Sequence, residues 1–225
     1  MKRLIIPTLR TFLLGVLILG ALLFLPAGTL TYWQAWVFIA VFLGAANAIG
    51  VYLALHDPEL LERRKKAGPA AEQSPAQKII ISFALLAWIA LLVCSGLNHR
   101  FGWSPVPVAL VVLGNALVVL GFLLDFVVLK VNRYGGSTVE VVAGQTVITT
   151  GPYAVIRHPM YAGVLVMTLG IPLALAFWWG LGVVVLITPV LMWRILDEEK
   201  LLERELPGYV DYEQKVRYRL VPYLW

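Results

Sequence analysis

The densest group of chemically useful side chains lies between residues 151 and 163, in the sequence GPYAVIRHPMYAG. Its glycines and prolines fix backbone turns, while Arg157 and His158 add a cation and a titratable ring beside two tyrosine hydroxyls. Pro159 suits the first turn of a helix, and the free N–H groups of a helix start favour an anion such as a carboxylate. The same residue types are common at a membrane boundary, so both interpretations stay open at this point.

A second group of charges follows at residues 194–199, where Arg194 precedes Asp197, Glu198 and Glu199. Adjacent acids beside an apolar helix are costly near lipid, and chemically they suit an ammonium, a ribose diol or a sulfonium. Arg194 and Glu198 are four residues apart and therefore share one helix face. A solvated helix face with paired charges would give the same pattern.

The segment between the two groups, residues 158–193, carries no formal charge. At 1.5 Å per residue it is about 54 Å long, close to two bilayer crossings. A helical hairpin of this kind returns to the side from which it started. Because the two polar groups then become neighbours, the hairpin favours a functional interpretation of both.

The elements that position these residues are predicted from composition. The chain has 225 residues, of which 60% are hydrophobic and 14% charged, whereas soluble domains average about 25% charged residues. We predict an all-α integral membrane protein with about six transmembrane helices, a C-terminal helical hairpin and a cytosolic cap. The predicted spans are residues 11–25, 32–55, 79–97, 108–131, 160–176 and a helix from 181 to 206, with a short polar helix at 58–66.

The basic residues are distributed asymmetrically. Apart from Arg100, every Lys and Arg lies in segments that a six-helix topology puts on one side, namely residues 1–10, 56–78, 130–158 and 194–225. Cytosolic loops carry such an excess, so both termini are predicted to be cytosolic in a multi-pass protein. This topology explains the net charge of +5 without a nucleic-acid partner. We divide the chain into a four-helix transmembrane region, 1–131, and a C-terminal region, 132–225, that contains both polar groups; the resemblance described below implies that this second region is the cofactor-binding one.

Two isolated residue types carry less information. Cys94 stands alone, which allows no internal disulfide and no multi-thiolate metal site, and the histidines lack ligand spacing, so no metal is predicted. Asp125 is an acid within a predicted span. It is expected either to reach the membrane surface or to pair with Arg157 or Arg194.

Residues 139–225 resemble the C-terminal half of the isoprenylcysteine carboxyl methyltransferase family. Phospholipid N-methyltransferases, and more distantly sterol reductases, are similar in the same region, whereas the first half matches mainly in hydropathy and at residues 57–63. The matching positions are Gly151, Pro152, Tyr153, Arg157, His158, Pro159, Met160, Tyr161, Gly163, Arg194, Glu198, Glu199, residues 206–209, Tyr212 and residues 217–222.

The resemblance implies an S-adenosylmethionine-dependent methyltransferase, similar to the protein-S-isoprenylcysteine O-methyltransferases, with its active site embedded in the membrane. It implies that Arg194 is the catalytic residue facing an amphipathic, lipid-like methyl acceptor in the bilayer. The cofactor-binding residues that it implies are Gln145, Val147, Ile148, Tyr153, His158, Tyr161, Glu198 and Glu199.

The chemistry of methyl transfer limits what the protein must supply. The cofactor carries the reactive group, so alignment of donor and acceptor is the main task. A carboxylate acceptor needs only an orienting cation such as Arg194, whereas an amine must lose a proton, with Glu199 or His158 as candidate bases. The alternatives are a phospholipid N-methyltransferase, a membrane reductase using NADPH, and a non-catalytic membrane scaffold.

Overall fold

The computed structural model describes residues 2–225, and within them the chain forms helices and loops but no strand. Two short 3-10 turns, Pro69–Ala71 and Gly151–Ala154, interrupt the loops. The helices are α1 (Lys2–Ala27), α2 (Trp33–His56), α3 (Pro58–Lys65), α4 (Pro75–Phe101), α5 (Val108–Val131), α6 (Pro159–Ala174), α7 (Gly180–Glu205) and α8 (Tyr209–Lys215).

Five of these helices are long and apolar enough to cross a membrane: α1, α2, α4, α5 and α7. The sixth apolar helix, α6, has 16 residues. Large apolar side chains such as Leu25 and Leu186 are 77% exposed on the outside of the bundle. Such a surface is costly in water and matches lipid. The predicted all-helical membrane fold with about six spans is therefore confirmed, while the side on which the termini lie stays a prediction.

The helices differ from the predicted spans mainly at their ends. The predicted span 108–131 coincides with α5, but α4 extends the predicted span 79–97 at both ends. Pro75 fits the first turn of α4, and Gly102 ends it in the left-handed conformation at φ 64°. The prediction ended this helix at the polar residues on either side of the apolar segment. A helix nevertheless continues beyond the lipid wherever its backbone hydrogen bonds are satisfied.

Helix α6 is short, and it is held by close contact with α5. Glycines seven residues apart face each other across the pair, Gly114 against Gly170 and Gly121 against Gly163. A Cβ on Gly114 would lie 2.2 Å from the backbone nitrogen of Ala174, so the two backbones are in direct contact. Since α6 cannot shift against α5, its first turn has a fixed position.

The polar end of the bundle is closed by the C-terminal tail. The tail carbonyls of Tyr218 and Arg219 accept backbone hydrogen bonds, each of 2.9 Å, from Arg157 and His158. Helix α8, which the sequence interpretation treated only as part of a cap, precedes this contact. The tail therefore fixes the segment that leads into α6.

Candidate active site

Two cavities meet at the polar end of the bundle. The polar cavity, of about 300 Å³, lies between the loop before α6, the first turn of α6, α7 and α8. The apolar cavity, of about 320 Å³, lies between α4, α6 and α7 and has almost entirely aliphatic walls with Trp88. Val164 and Arg194 belong to the walls of both. A polar ligand and an apolar chain can therefore approach the same guanidinium from two sides.

The structure brings most of the predicted site residues together around the polar cavity. These are Gln145, Val147, Ile148, Tyr153, His158, Tyr161, Arg194 and Glu198. They come from the loop, from the approach to α6 and from one face of α7. Their roles stay predictions, but their positions are those of a single site.

Glu199 is the predicted residue that lies outside this wall, buried with a side-chain exposure of 3%. Its Oε1 lies 3.1 Å from both His158 Nε2 and Arg157 Nε. Its Oε2 accepts a hydrogen bond of 2.8 Å from Arg219 Nε. The carboxylate thus positions the imidazole and ties the tail to the site. Arg219 belongs to the segment 217–222 that carries the family resemblance, but no role was predicted for it.

The tail is fixed to the wall at further points. Arg157 also pairs with Glu213, at the end of α8. The hydroxyl of Tyr212 donates to the carbonyl of Tyr153 at 2.7 Å. Because residues before α6 and on α7 hold the tail, the polar cavity is closed by residues far apart in the chain.

Tyrosine hydroxyls supply neutral polar groups to the polar cavity. Burial raises the pKa of Tyr153 to about 12, and Asn132 Nδ2 donates to its oxygen at 2.6 Å. Burial also raises the pKa of Tyr209, whose buried hydroxyl has no hydrogen-bond partner among the described residues. Both hydroxyls keep their protons at neutral pH, and both can donate to a ligand.

Arg194 lies at the centre of a polar network. Its Nε donates to Tyr161 Oη at 2.9 Å, and that hydroxyl donates to Glu198 Oε2 at 2.5 Å. Its Nη1 donates to Glu72 Oε1 at 2.9 Å and to Gln77 Oε1 at 2.7 Å. The sequence interpretation missed Glu72 and Gln77. They lie in and just after a polar linker without periodicity, so no spacing marked them.

Asp125 does not join this network. Among residues 6–225, whose side chains the structure describes, it forms no ion pair, so the alternative of pairing with Arg157 or Arg194 is wrong. The carboxylate lies on the α6 side of α5, where a Cβ on Gly163 would be 2.3 Å from its Oδ1. In the same described part of the chain, no group of three His, Cys, Asp or Glu residues could hold a metal ion.

Comparison with known families supports a broader class of membrane methyltransferases than the isoprenylcysteine family that the sequence resembles. Residues 109–207 match the family model described as phospholipid methyltransferase. The matched segment runs from the start of α5 to just past α7, so it contains the α5–α6 pair and the two charged groups. This match supports a membrane methyltransferase and does not single out the isoprenylcysteine enzymes.

The chain is also similar to the Delta(14)-sterol reductase of Mus musculus, with 29% identity over 94 residues. The similar segment covers 40% of this chain and 22% of the reductase. The chain therefore corresponds to less than a quarter of the length of that relative.

Proposed function

We propose that this chain is an S-adenosylmethionine-dependent methyltransferase that acts on a lipid-like acceptor within the membrane. The observation that carries the proposal is the pair of cavities that share Arg194. A polar cofactor suits the first, and an apolar chain suits the second. The phospholipid methyltransferase match over residues 109–207 supports the same chemistry.

The polar cavity fits the cofactor in size and in chemistry. Its volume of about 300 Å³ is at the lower end of the range of about 300–1,000 Å³ that is usual for small-molecule sites. Glu198 offers a carboxylate for an ammonium or a ribose hydroxyl, and the unpartnered Tyr209 hydroxyl offers a further polar contact. The remaining residues that would hold the cofactor are Gln145, Val147, Ile148, Tyr153, His158 and Tyr161.

When bound, the cofactor would supply an electrophilic methyl group on a sulfonium for transfer to an acceptor oxygen or nitrogen, with the neutral thioether as leaving group. The task of the protein is then alignment and exclusion of water. Aliphatic walls with Trp88 hold the acceptor chain between α4 and α7, and Arg194 lies at the depth of its headgroup. The chain and headgroup are thereby aligned with the polar cavity.

The acceptor headgroup could belong to either of two classes. The sequence resemblance implies a carboxylate of the isoprenylcysteine type, which Arg194 would orient. An amine headgroup would need a proton acceptor, and Glu198 is the carboxylate that lies in the cavity wall next to Tyr161. Arg194 already forms an ion pair with Glu72, and this pair affects whether a carboxylate or an amine headgroup can bind there.

The similarity to a sterol reductase favours a second candidate, reduction with a nicotinamide dinucleotide. Such a cofactor carries phosphates, which call for free cations. The cations in the polar cavity wall are Arg64, Arg157 and Arg194. Two of them, Arg157 and Arg194, are already paired with carboxylates, so the site suits a sulfonium better than a phosphate.

Calorimetric titration of the purified protein in lipid nanodiscs tests the proposal. We expect saturable binding of S-adenosylmethionine and of its demethylated product, and none of NADPH. Binding should weaken at least about tenfold in Glu198→Gln, a change of about 1.4 kcal/mol. Glu203→Gln is the matched control, since it alters an exposed acid of the same helix.

Two results would contradict the proposal. Binding of NADPH in place of S-adenosylmethionine would assign the site to the reductase class. Absence of binding by either cofactor, with the fold intact, would leave a membrane scaffold.

A further inference from the structure

Arg194 is neutralised within the protein before any acceptor arrives. Glu72, from the linker between α3 and α4, forms an ion pair of 2.9 Å with its Nη1, and the Glu72 side chain is only 1% exposed. Both partners are buried; Arg194 belongs to the walls of both cavities, and Glu72 lies behind it without lining either. A headgroup that reaches Arg194 therefore meets a cation that already has a counter-charge.

The guanidinium also has few donors left. It carries five N–H groups, and four are used within the described residues: by Tyr161, Glu72, Gln77 and the carbonyl of Ser137. A carboxylate gripped by both oxygens needs two neighbouring donors. Only one N–H, on Nη2, remains. Such a grip therefore requires one of the existing partners to leave.

The carboxylate oxygen of Glu72 that does not contact Arg194 is also hydrogen-bonded. Its Oε2 accepts a hydrogen bond of 3.1 Å from the backbone nitrogen of Val139, which belongs to the polar cavity wall. Gln77 is likewise fixed, since its Nε2 donates to Asp197 at 2.6 Å. Displacing Glu72 would break its contacts with Arg194 and with the cavity loop, and would leave its charge buried.

We propose that Glu72 is a specificity-determining residue, which selects acceptors by the charge of their headgroup at Arg194. Its carboxylate repels an anionic headgroup and competes with it for the guanidinium. Glu72 and Glu198 together attract an amine headgroup to the same place. This inference rests on the proposed function, because it concerns the acceptor side of the same site.

The test uses two matched photoreactive amphiphiles, a diazirine-bearing C16 fatty acid and the corresponding C16 amine. The readout is the concentration that half-saturates crosslinking to peptides that line the apolar cavity, around Trp88 and Leu191. The protein is the full chain in nanodiscs, and its fold and S-adenosylmethionine binding are measured in parallel. This readout does not depend on turnover, so it works before the acceptor is known.

In the wild type we expect the amine to saturate at a lower concentration than the acid. Glu72→Gln keeps the shape and one of the two hydrogen-bond acceptors but removes the charge, so the half-saturating concentration of the acid should fall about tenfold. Glu62→Gln is the control, since it removes an acid of the nearby α3 whose side chain is 69% exposed. It should change neither value.

A second substitution keeps the test decisive if Glu72→Gln fails to fold. Glu72→Asp keeps a carboxylate beside Arg194 on a shorter side chain, so the amine should still saturate at a lower concentration than the acid, and the reverse order in this folded variant would overturn the inference. Equal acid binding in the wild type and in the folded Glu72→Gln variant would overturn the inference, as would crosslinking of neither probe to the apolar cavity. If the wild type did not bind S-adenosylmethionine, the proposed function would be overturned instead.

Discussion

The buried carboxylate of Glu199 permits a quantitative prediction about how the site is closed. It holds His158, Arg157 and Arg219 at distances of 2.8–3.1 Å. Glu199→Gln preserves the side-chain shape but leaves buried cations without their shared counter-charge. Removing one partner of a buried ion pair costs about 3–5 kcal/mol. Arg157 keeps Glu213 and Arg219 is 29% exposed, so we expect the lower end, about 3 kcal/mol.

This cost should appear as easier opening of the tail. The amides of Arg157 and His158 bond to tail carbonyls, so their hydrogen exchange reports the contact. A loss of about 3 kcal/mol corresponds to exchange faster by roughly 100-fold over the peptide 151–161. Cofactor affinity should fall with it, because His158 loses its orienting partner.

Hydrogen exchange, measured by mass spectrometry on the wild type and on Glu199→Gln in nanodiscs, reports how readily the tail opens in each protein. The control is Glu203→Gln, which changes an exposed acid four residues further along the same helix. If Glu199→Gln protected this peptide as well as the control does, the carboxylate would not be what holds the tail on α6. The reasoning about site closure would then be refuted.

Three further predictions concern the acceptor, the helix packing and the topology. Arg194→Lys should keep folding and cofactor binding but slow methyl transfer about tenfold, near 1.4 kcal/mol of barrier, because the three donors of Lys cannot replace the four hydrogen bonds by which the guanidinium organises the site; normal turnover would reduce Arg194 to a membrane anchor. Gly121→Ala should destabilise the bundle by about 1–3 kcal/mol in unfolding assays, since a Cβ there meets Gly163 O at 2.6 Å, whereas Gly182→Ala, at an open position, should not. Single cysteines at positions 70 and 215 should resist labelling by an impermeant reagent added to intact cells, and labelling of either would overturn the cytosolic assignment.

Composition and charge predicted the helical membrane fold because long apolar segments have few alternatives in lipid. A hairpin formed by residues 158–193 also predicts that two polar groups distant in the chain are neighbours. Residue types near Arg157 and Glu198 predicted a polar site, and the family resemblance added residues such as Gln145 and Val147, which lie in the wall of the polar cavity. These features are local in sequence, and their physical meaning depends little on the rest of the chain.

The features that the sequence did not reveal depend on contacts between distant segments. Glu72 is one acid in a polar linker, and only the fold shows that it reaches Arg194 across 122 positions. The return of Arg219 to Glu199 is hidden for the same reason. Asp125 was expected either to reach the membrane surface or to pair with a cation, whereas the structure packs it against the glycine face of α6.

The most direct test of the central claim is incorporation of label from methyl-radioactive S-adenosylmethionine into membranes that contain the protein. We expect label in the lipid-extractable fraction with the wild type and with Glu203→Gln, and a loss of at least about tenfold with Glu198→Gln. Mass analysis of the labelled lipid would then identify the acceptor. Equal labelling in membranes with the wild type, with Glu198→Gln and without the protein would contradict the account.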